Sequence, residues 1–387
     1  MINTRSIVFV LVGVIFSFGI ILSNSDNTIR FNRQPSIHPP NDMSPDNIPQ
    51  FVLISSDDNY NPAGLKWLIK VLNGRSNPGK KKDTDIYSGE QISMTFFWNT
   101  SNGGNNQTPE IVSALRYLND SLGCEISNHT ANHEQGGGFS VEEWKKEMKK
   151  VNQVLKDSIL KDNKVQGFRT PFLEYNKNTF KAVKELGLFY DSSIEEGFQK
   201  NLAPGKYYWP YTLNYEAPGY KSSVRHQELK KKHPEYCISK WNYKNLWEIP
   251  CYAFQAPPDS ILERKYKAGP GLREHIQESV GLKNGKINGL DWNLWAAPEG
   301  DGIQLNKKQT LAVLKYSFDK TYNGNRAPFS LVIHSPFYFN KGKFSNINNQ
   351  EQREVIKKFL DYILTKKDVR VVSIEKYLKW LIDPVSI

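Results

Sequence analysis

The sequence predicts an α/β protein built on a parallel sheet with crossover helices, either open or closed into a barrel. Two observations carry that reading. Short apolar, β-rich runs alternate with helical patterns, and polar residues able to do chemistry stand just past several of the apolar runs. In folds of this class ligands bind beyond the C-terminal ends of the strands, so those positions are the ones to inspect.

In chain order, apolar runs predict strands over 51–54, 92–97, 124–127, 165–168, 330–333 and 369–372. Helical patterns cover 63–72, 109–122, 141–159, 177–186, 350–365 and 374–381. Pro109 stands early in its helix, and Ser140 followed by Glu143 reads as a capping box. Between about 198 and 326 the alternation disappears and Gly, Pro, Trp and Tyr become frequent. That stretch is expected to be a loop-rich insertion around the mouth of the fold.

The chain has 387 residues, 39% hydrophobic and 12% aromatic, which suits a folded protein with a sizeable core. Fifty-one Lys and Arg outweigh 40 Asp and Glu, for a net charge of +11. The excess is spread along the chain, with only short clusters such as Lys80-Lys81-Lys82 and Lys230-Lys231-Lys232. Without a basic stripe or a base-reading motif, no nucleic-acid partner is expected. Three cysteines exclude a disulfide scaffold, and the odd count leaves at least one thiol free. Cys237 and Cys251 could pair in an oxidising compartment, but spacing does not establish it.

Residues 7–22 form an apolar run broken only by Ser17 and preceded by Arg5. This is read as a signal peptide or an uncleaved N-terminal anchor over 1–23, followed by a flexible tether over 24–49 and a catalytic domain over 50–387. A secreted or extracytoplasmic location follows, with membrane contact only through that segment. The sequons at Asn99, Asn106, Asn119 and Asn128 matter only where the source glycosylates them.

The candidate chemistry stands past four predicted strands. Asp57-Asp58 follows the first, and Asn128-His129-Thr130-Ala131-Asn132-His133 follows the third. A His-x-x-x-His pair on one helical turn puts both imidazoles on one side, as zinc sites require. Arg169 follows the fourth strand and His334 the penultimate one. Singly, each has an ordinary reading: an Asx-turn, an incidental His pair, a surface arginine, a structural histidine. Only seven histidines exist in the chain, however, and three converge on this one face.

The order Asp57-Asp58, His129-x-x-x-His133, Arg169-Thr170-Pro171-Phe172, Tyr190-Asp191-Ser192-Ser193, Trp209-Pro210-Tyr211, Leu246-Trp247-Glu248 and Leu331-Val332-Ile333-His334 resembles the polysaccharide deacetylases of carbohydrate esterase family four, the NodB-type homology domain, and most of all their chitin-deacetylase-like branch. The resemblance implies a distorted (β/α) barrel of about seven strands. It implies that Asp57 is the general base and that Asp58, His129 and His133 hold one divalent metal, usually Zn2+. It further implies that Arg169 orients Asp57 and that His334 is the general acid, with Asp191 as its charged partner. Trp247 resembles the family's wall beside the acetyl pocket, and Trp209 stands in the same motif order. Ser56, Asn59-Tyr60 and the run Gly136-Gly137-Gly138 depart from the usual pattern and bear on loop shape, the glycines being able to loosen the loop beside the metal.

The chemistry is consistent on its own terms. Hydrolysis of an N-acetyl amide needs activated water, a site for the oxyanion and a proton for the leaving amine. One carboxylate and two neutral imidazoles leave room on a metal for water and substrate oxygen, while a second, unligated carboxylate can take the proton. The backbone N–H of Phe172 is a candidate oxyanion donor. Aromatic residues of the insertion suit pyranose faces. The expected partner is a polysaccharide, acted on by a monomer, with N-acetylglucosamine polymers first. Removal of O-acetyl groups from xylan or another glycan, or glycan binding without turnover, remain the alternatives.

Overall fold

Strand β1, Gln50–Asp57, is buried along its whole length, because it has neighbours on both edges and packed layers on both faces. The computed structural model describes residues 32–387 except 81–84, 103, 162–163, 201, 204, 282–284, 301, 340–344 and 346. The apolar run 7–22 and the first part of the expected tether lie outside the described residues, and among these no helix is long and apolar enough to cross a membrane.

From β1 the chain passes through helix α1, Pro62–Leu72, to β2, Thr95–Trp98, then through α2, Pro109–Asp120, to β3, Glu125–Asn128. Helix α3, Val141–Ser158, leads to β4, Gly167–Phe168, and α4, Lys177–Glu185, to β5, Tyr190–Asp191. Each helix start is chemically marked. Asn61 accepts from the N–H groups of Ala63 and Gly64, and Thr108 accepts from Ile111, each just before a proline. Ser140 with Glu143, and Asn176 with Thr179, form capping boxes.

Among the described residues the main sheet has nine strands and curls into a half-barrel. Seven form one continuous parallel path, in the order Phe329–His334, β1, β2, β3, β4, β5, Trp247–Glu248. Tyr211–Thr212 adds an antiparallel edge, and Val369–Val371 pairs with the N-terminal half of β1. The side between Trp247–Glu248 and Phe329–His334 is filled by short pieces. Glu195–Glu196 pairs with Cys251–Tyr252, and Leu290 forms a single bridge to Val332. Helix α1 lies so close to the loop after Phe329–His334 that a Cβ on Gly64 would fall 2.2 Å from the carbonyl oxygen of Ser335, so only glycine fits.

The insertion is more ordered than its composition suggests. Helix Lys307–Tyr322 runs within it, capped by Asn306 and Gln309, and delivers Ala312, Val313, Leu314 and Phe318 to the largest core cluster. Burial on nearly every side leaves it no one-sided apolar stripe, which is why periodicity did not reveal it. Part of the stretch expected to be a tether packs against the fold. Trp209 and Thr212 donate backbone N–H groups to the carbonyls of Ser36 and Arg33, the Asn325 amide donates to the carbonyl of Ile37, and Ile48 is fully buried. The three cysteines are free, and Cys251 points inward at 3.4 Å from the Ser192 carbonyl.

Candidate active site

The curled sheet brings the ends of β1, β3, β4 and Phe329–His334 to one mouth. Asp57 lies in register with His334 on the adjacent strand, and Asn128, just before His129, with Phe168, just before Arg169. There a cavity of about 350 Å³ is lined by Asp57, Asp58, His129, His133, Phe172 and His334, among others.

Immediately after β1 the backbone turns through left-handed conformations at Asp58 (φ 70°) and Asn59 (φ 60°). Asn59 holds this turn: its side chain accepts from the Ser56 and Ser335 hydroxyls and donates to the carbonyls of Ser56 and Phe97. The departures at Ser56 and Asn59 therefore form a matched lock. Thr130, His133 and Phe172 also have positive φ, so strained backbone gathers around this one cavity.

Asp58, His129 and His133 bring one ligand atom each to within 4.8 Å of one another. Asp58 Oδ1 is 3.0 Å from His133 Nε2 and 3.8 Å from His129 Nε2. The pair does not sit on a helical turn as the spacing suggests. Residues 129–133 are a loop, tied down by Glu147 of α3, which accepts from the N–H groups of Ala131 and Asn132 and from the Asn132 amide. His129 Nδ1 stands 2.9 Å from the Arg169 carbonyl, which makes it the donor there and leaves the Nε2 lone pair facing Asp58. Burial lowers the His129 pKa to about 4, so the ring is neutral and able to ligate. Burial alone would raise the Asp58 pKa, but the hydrogen bond and charge of His133, with His334 and His129, pull it well below the carboxylate range. A carboxylate with two such imidazoles fits a divalent metal.

Arg169 is fully enclosed and donates to Asp57 Oδ1 and Ser55 Oγ at 2.7 Å, and to the carbonyl and hydroxyl of Ser192 at 2.8 Å. Its guanidinium lies 4.2 Å from the Phe97 ring centroid. Asp57 is thus held from behind by a charge-assisted bond and faces the cavity beside the Asp58 turn.

His334 is mostly buried at the same cavity, on the strand next to Asp57, and its partner is Asp291, not Asp191. His334 Nδ1 lies 2.7 Å from Asp291 Oδ1, and the His334 N–H and the Tyr338 hydroxyl donate to Oδ2. Asp191 sits on β5, separated from Phe329–His334 by four strands of the sheet path, and cannot reach it. It accepts from the N–H and hydroxyl of Ser193, whose Oγ also accepts from the N–H of Thr170, so the Asp-Ser-Ser segment braces the Arg169 loop. Trp247 and Trp209 are likewise displaced from their expected place. Both are buried in the core with Phe51 and Trp380, because their strand or edge segment faces inward. The cavity's aromatic walls are Phe172, packed on His133 at 4.7 Å, and Trp292 with Phe337, the latter stacked on His334 at 4.6 Å. Trp292 is one of the insertion aromatics that suit pyranose faces, whereas the sequence reading does not reach Asp291; its one signal is an acid directly after Leu290 in a segment that reads as loop.

Residues 77–190 match the family model described as polysaccharide deacetylase, so the chain carries a domain of this family. The match includes His129, His133 and Arg169 and excludes Asp57, Asp58 and His334. The chain is 24% identical over 356 residues to chitin deacetylase 1 of Bombyx mori, covering 90% of this chain and 54% of that protein. To chitin deacetylase 8 of Bombyx mori it is 23% identical over 350 residues, covering 88% and 72%. It thus spans about half the length of the first relative. A crystal structure of a candidate polysaccharide deacetylase from Mycobacterium smegmatis shares the fold, with a TM-score of 0.53 at 14% identity over 90% of this chain and 95% of that one.

Proposed function

We propose that the protein is a metal-dependent hydrolase that removes acetyl groups from an N-acetylglucosamine-containing polysaccharide, chitin or a chitin-like glycan, outside the cytoplasm. The observation that carries this reading is the convergence on one cavity of Asp57, the Asp58–His129–His133 cluster and His334 on its Asp291 support.

A divalent ion, with zinc suited to one carboxylate and two imidazoles, would be held by Asp58, His129 and His133 and would supply Lewis acidity toward water and the acetyl carbonyl. Asp57, oriented by Arg169, takes the proton of the attacking water. As the new C–O bond forms, the backbone N–H of Phe172 donates to the oxyanion. When the C–N bond breaks, His334 gives a proton to the leaving amine, and Asp291 holds the imidazolium in place. Acetate and a free amine on the sugar are the products. Phe172, Trp292 and Phe337 give the acetyl group and the sugar face an apolar bed.

Acetate release from chitin oligomers, peptidoglycan and acetylated xylan, with and without chelator, tests the reading. Chelator-sensitive release from chitin oligomers is expected. Release only from xylan would make the protein an O-acetyl esterase, and none from any glycan by the metal-loaded protein would leave a binding protein.

A further inference from the structure

The turn that follows β2 takes part in no step of the proposed chemistry, yet it touches both loops that carry the candidate metal ligands. Asn99, directly after Trp98, is fully buried, and its side-chain amide donates to Asp58 Oδ1 at 3.0 Å. That oxygen is the one facing both imidazoles, at 3.0 Å from His133 Nε2 and 3.8 Å from His129 Nε2. Resting on the reading of Asp58, His129 and His133 as ligands, we infer that Asn99 is a positioning residue for the metal. It fixes the rotation of the Asp58 carboxylate, so that the site is set before an ion arrives.

The direction of the Asn99 amide is dictated by its neighbours. Its Oδ1 accepts from the Asn106 side-chain amide at 2.6 Å and from the Asn102 N–H at 3.2 Å. With the oxygen engaged on that side, the NH2 group is the end left for Asp58, and a carboxylate can only accept. Asn106 is also buried, and its amide donates a second time, to the Asn99 carbonyl at 3.2 Å. Two amides are thus lined up toward one carboxylate. Both asparagines head sequons, but their burial and committed amide nitrogens withdraw them from glycosylation in the folded protein.

The same turn holds the imidazole side. The Trp98 carbonyl accepts the N–H of His129 at 3.0 Å, and the Ser101 N–H donates to the Ala131 carbonyl at 2.9 Å. The Ser101 hydroxyl donates to Asn132 Oδ1 at 2.7 Å. Residues 98–101 therefore grip the carboxylate through Asn99 and the His129–His133 loop through Trp98 and Ser101, and one short segment sets the spacing between the two kinds of ligand.

The test measures Zn2+ affinity by competition with a chromogenic chelator in the parent, Asn99→Ala and Asn106→Ala, together with the visible spectrum of each Co2+-loaded form. Asn99→Ala should weaken Zn2+ binding by about 10- to 100-fold and shift the Co2+ band. A purely structural role would move neither in the folded protein. Asn106→Ala keeps the donor but frees its direction, so it should change both readouts in the same sense by less, and it serves where Asn99→Ala does not fold. Affinity and spectrum equal to the parent's in both variants overturn the inference. No glycan enters the titration, which separates this inference from the deacetylase reading. Zn2+ binding that depends on Asn99 supports it even where acetate release fails. A tight parent site indifferent to both substitutions overturns it and leaves the deacetylase reading standing, and a parent that binds no Zn2+ overturns both.

Discussion

His334 and Asp291 are joined twice, through the imidazole Nδ1 at 2.7 Å and through the His334 backbone N–H at 2.9 Å, although 43 residues separate them in sequence. The double contact fixes both the tautomer and the direction of the ring, leaving Nε2 as the atom turned away from Asp291 and toward substrate. Phe337 stacked on the ring prevents its rotation.

Burial by itself would lower the His334 pKa, but the charge and hydrogen bond of Asp291, aided by Asp58 and Asp57, outweigh it and raise the value to about 9. A general acid with a raised pKa stays protonated as pH rises, so the falling limb of the rate profile should lie above the ordinary 6.5 of histidine. Asp291→Asn removes the charge and leaves the burial. The limb should then move below that of the parent by about two units at equal metal content. A limb that stayed in place would exclude Asp291 as the supporting charge.

The same pair links stability to pH. Because the folded-state value is the higher one, its stabilisation is complete below about 6.5 and declines as pH rises toward 9. Urea midpoints of the parent should therefore fall over that interval more than those of His334→Ala. Parallel curves would show that the pair contributes no pH-linked stability.

Metal affinity should respond to the cluster and not to Asp57. His133→Ala removes a ligand on a loop at the rim, so metal content after dialysis should drop from about one ion to near none while circular dichroism stays unchanged. Full occupancy in this variant would end the assignment of His133 as a ligand.

Asp57→Asn should retain the ion and lose turnover by about a hundredfold or more, since an amide cannot take the proton of water. Loss of metal in this variant would exchange the roles of Asp57 and Asp58.

Arg169 should matter for folding as well as for rate. Arg169→Ala strips four hydrogen bonds and leaves Asp57 buried without its cation, so a loss of about 3–5 kcal/mol in unfolding free energy is expected. Normal stability in the variant would show that water replaces the guanidinium without cost.

The strands with continuous apolar runs and the helices with caps were legible in the sequence to within a few residues. Those of two residues, Tyr190–Asp191 and Trp247–Glu248, carry no period to read, and they hold their places only through the strands beside them. The Asp58, His129 and His133 cluster, a candidate metal site, was readable because its chemistry is concentrated in short segments after recognisable strands. The partner of His334 was not. An acid at the end of β5 and an acid within the insertion look alike until the sheet path shows which one lies beside the last long strand. Trp209 and Trp247 illustrate the same limit, since a tryptophan near a predicted mouth reads the same whether it faces the cavity or the core.

The docking of residues 32–49 bears on solubility. Tyr211–Thr212 ends the main sheet, and an uncovered edge strand invites pairing with another molecule. Here the carbonyls of Arg33 and Ser36 accept the N–H groups of Thr212 and Trp209, and Thr212 Oγ1 accepts the N–H of Arg33 in return. The segment that precedes the barrel therefore acts as a built-in guard against edge-to-edge aggregation, and a protein shortened to begin at residue 50 would fold around an open seam.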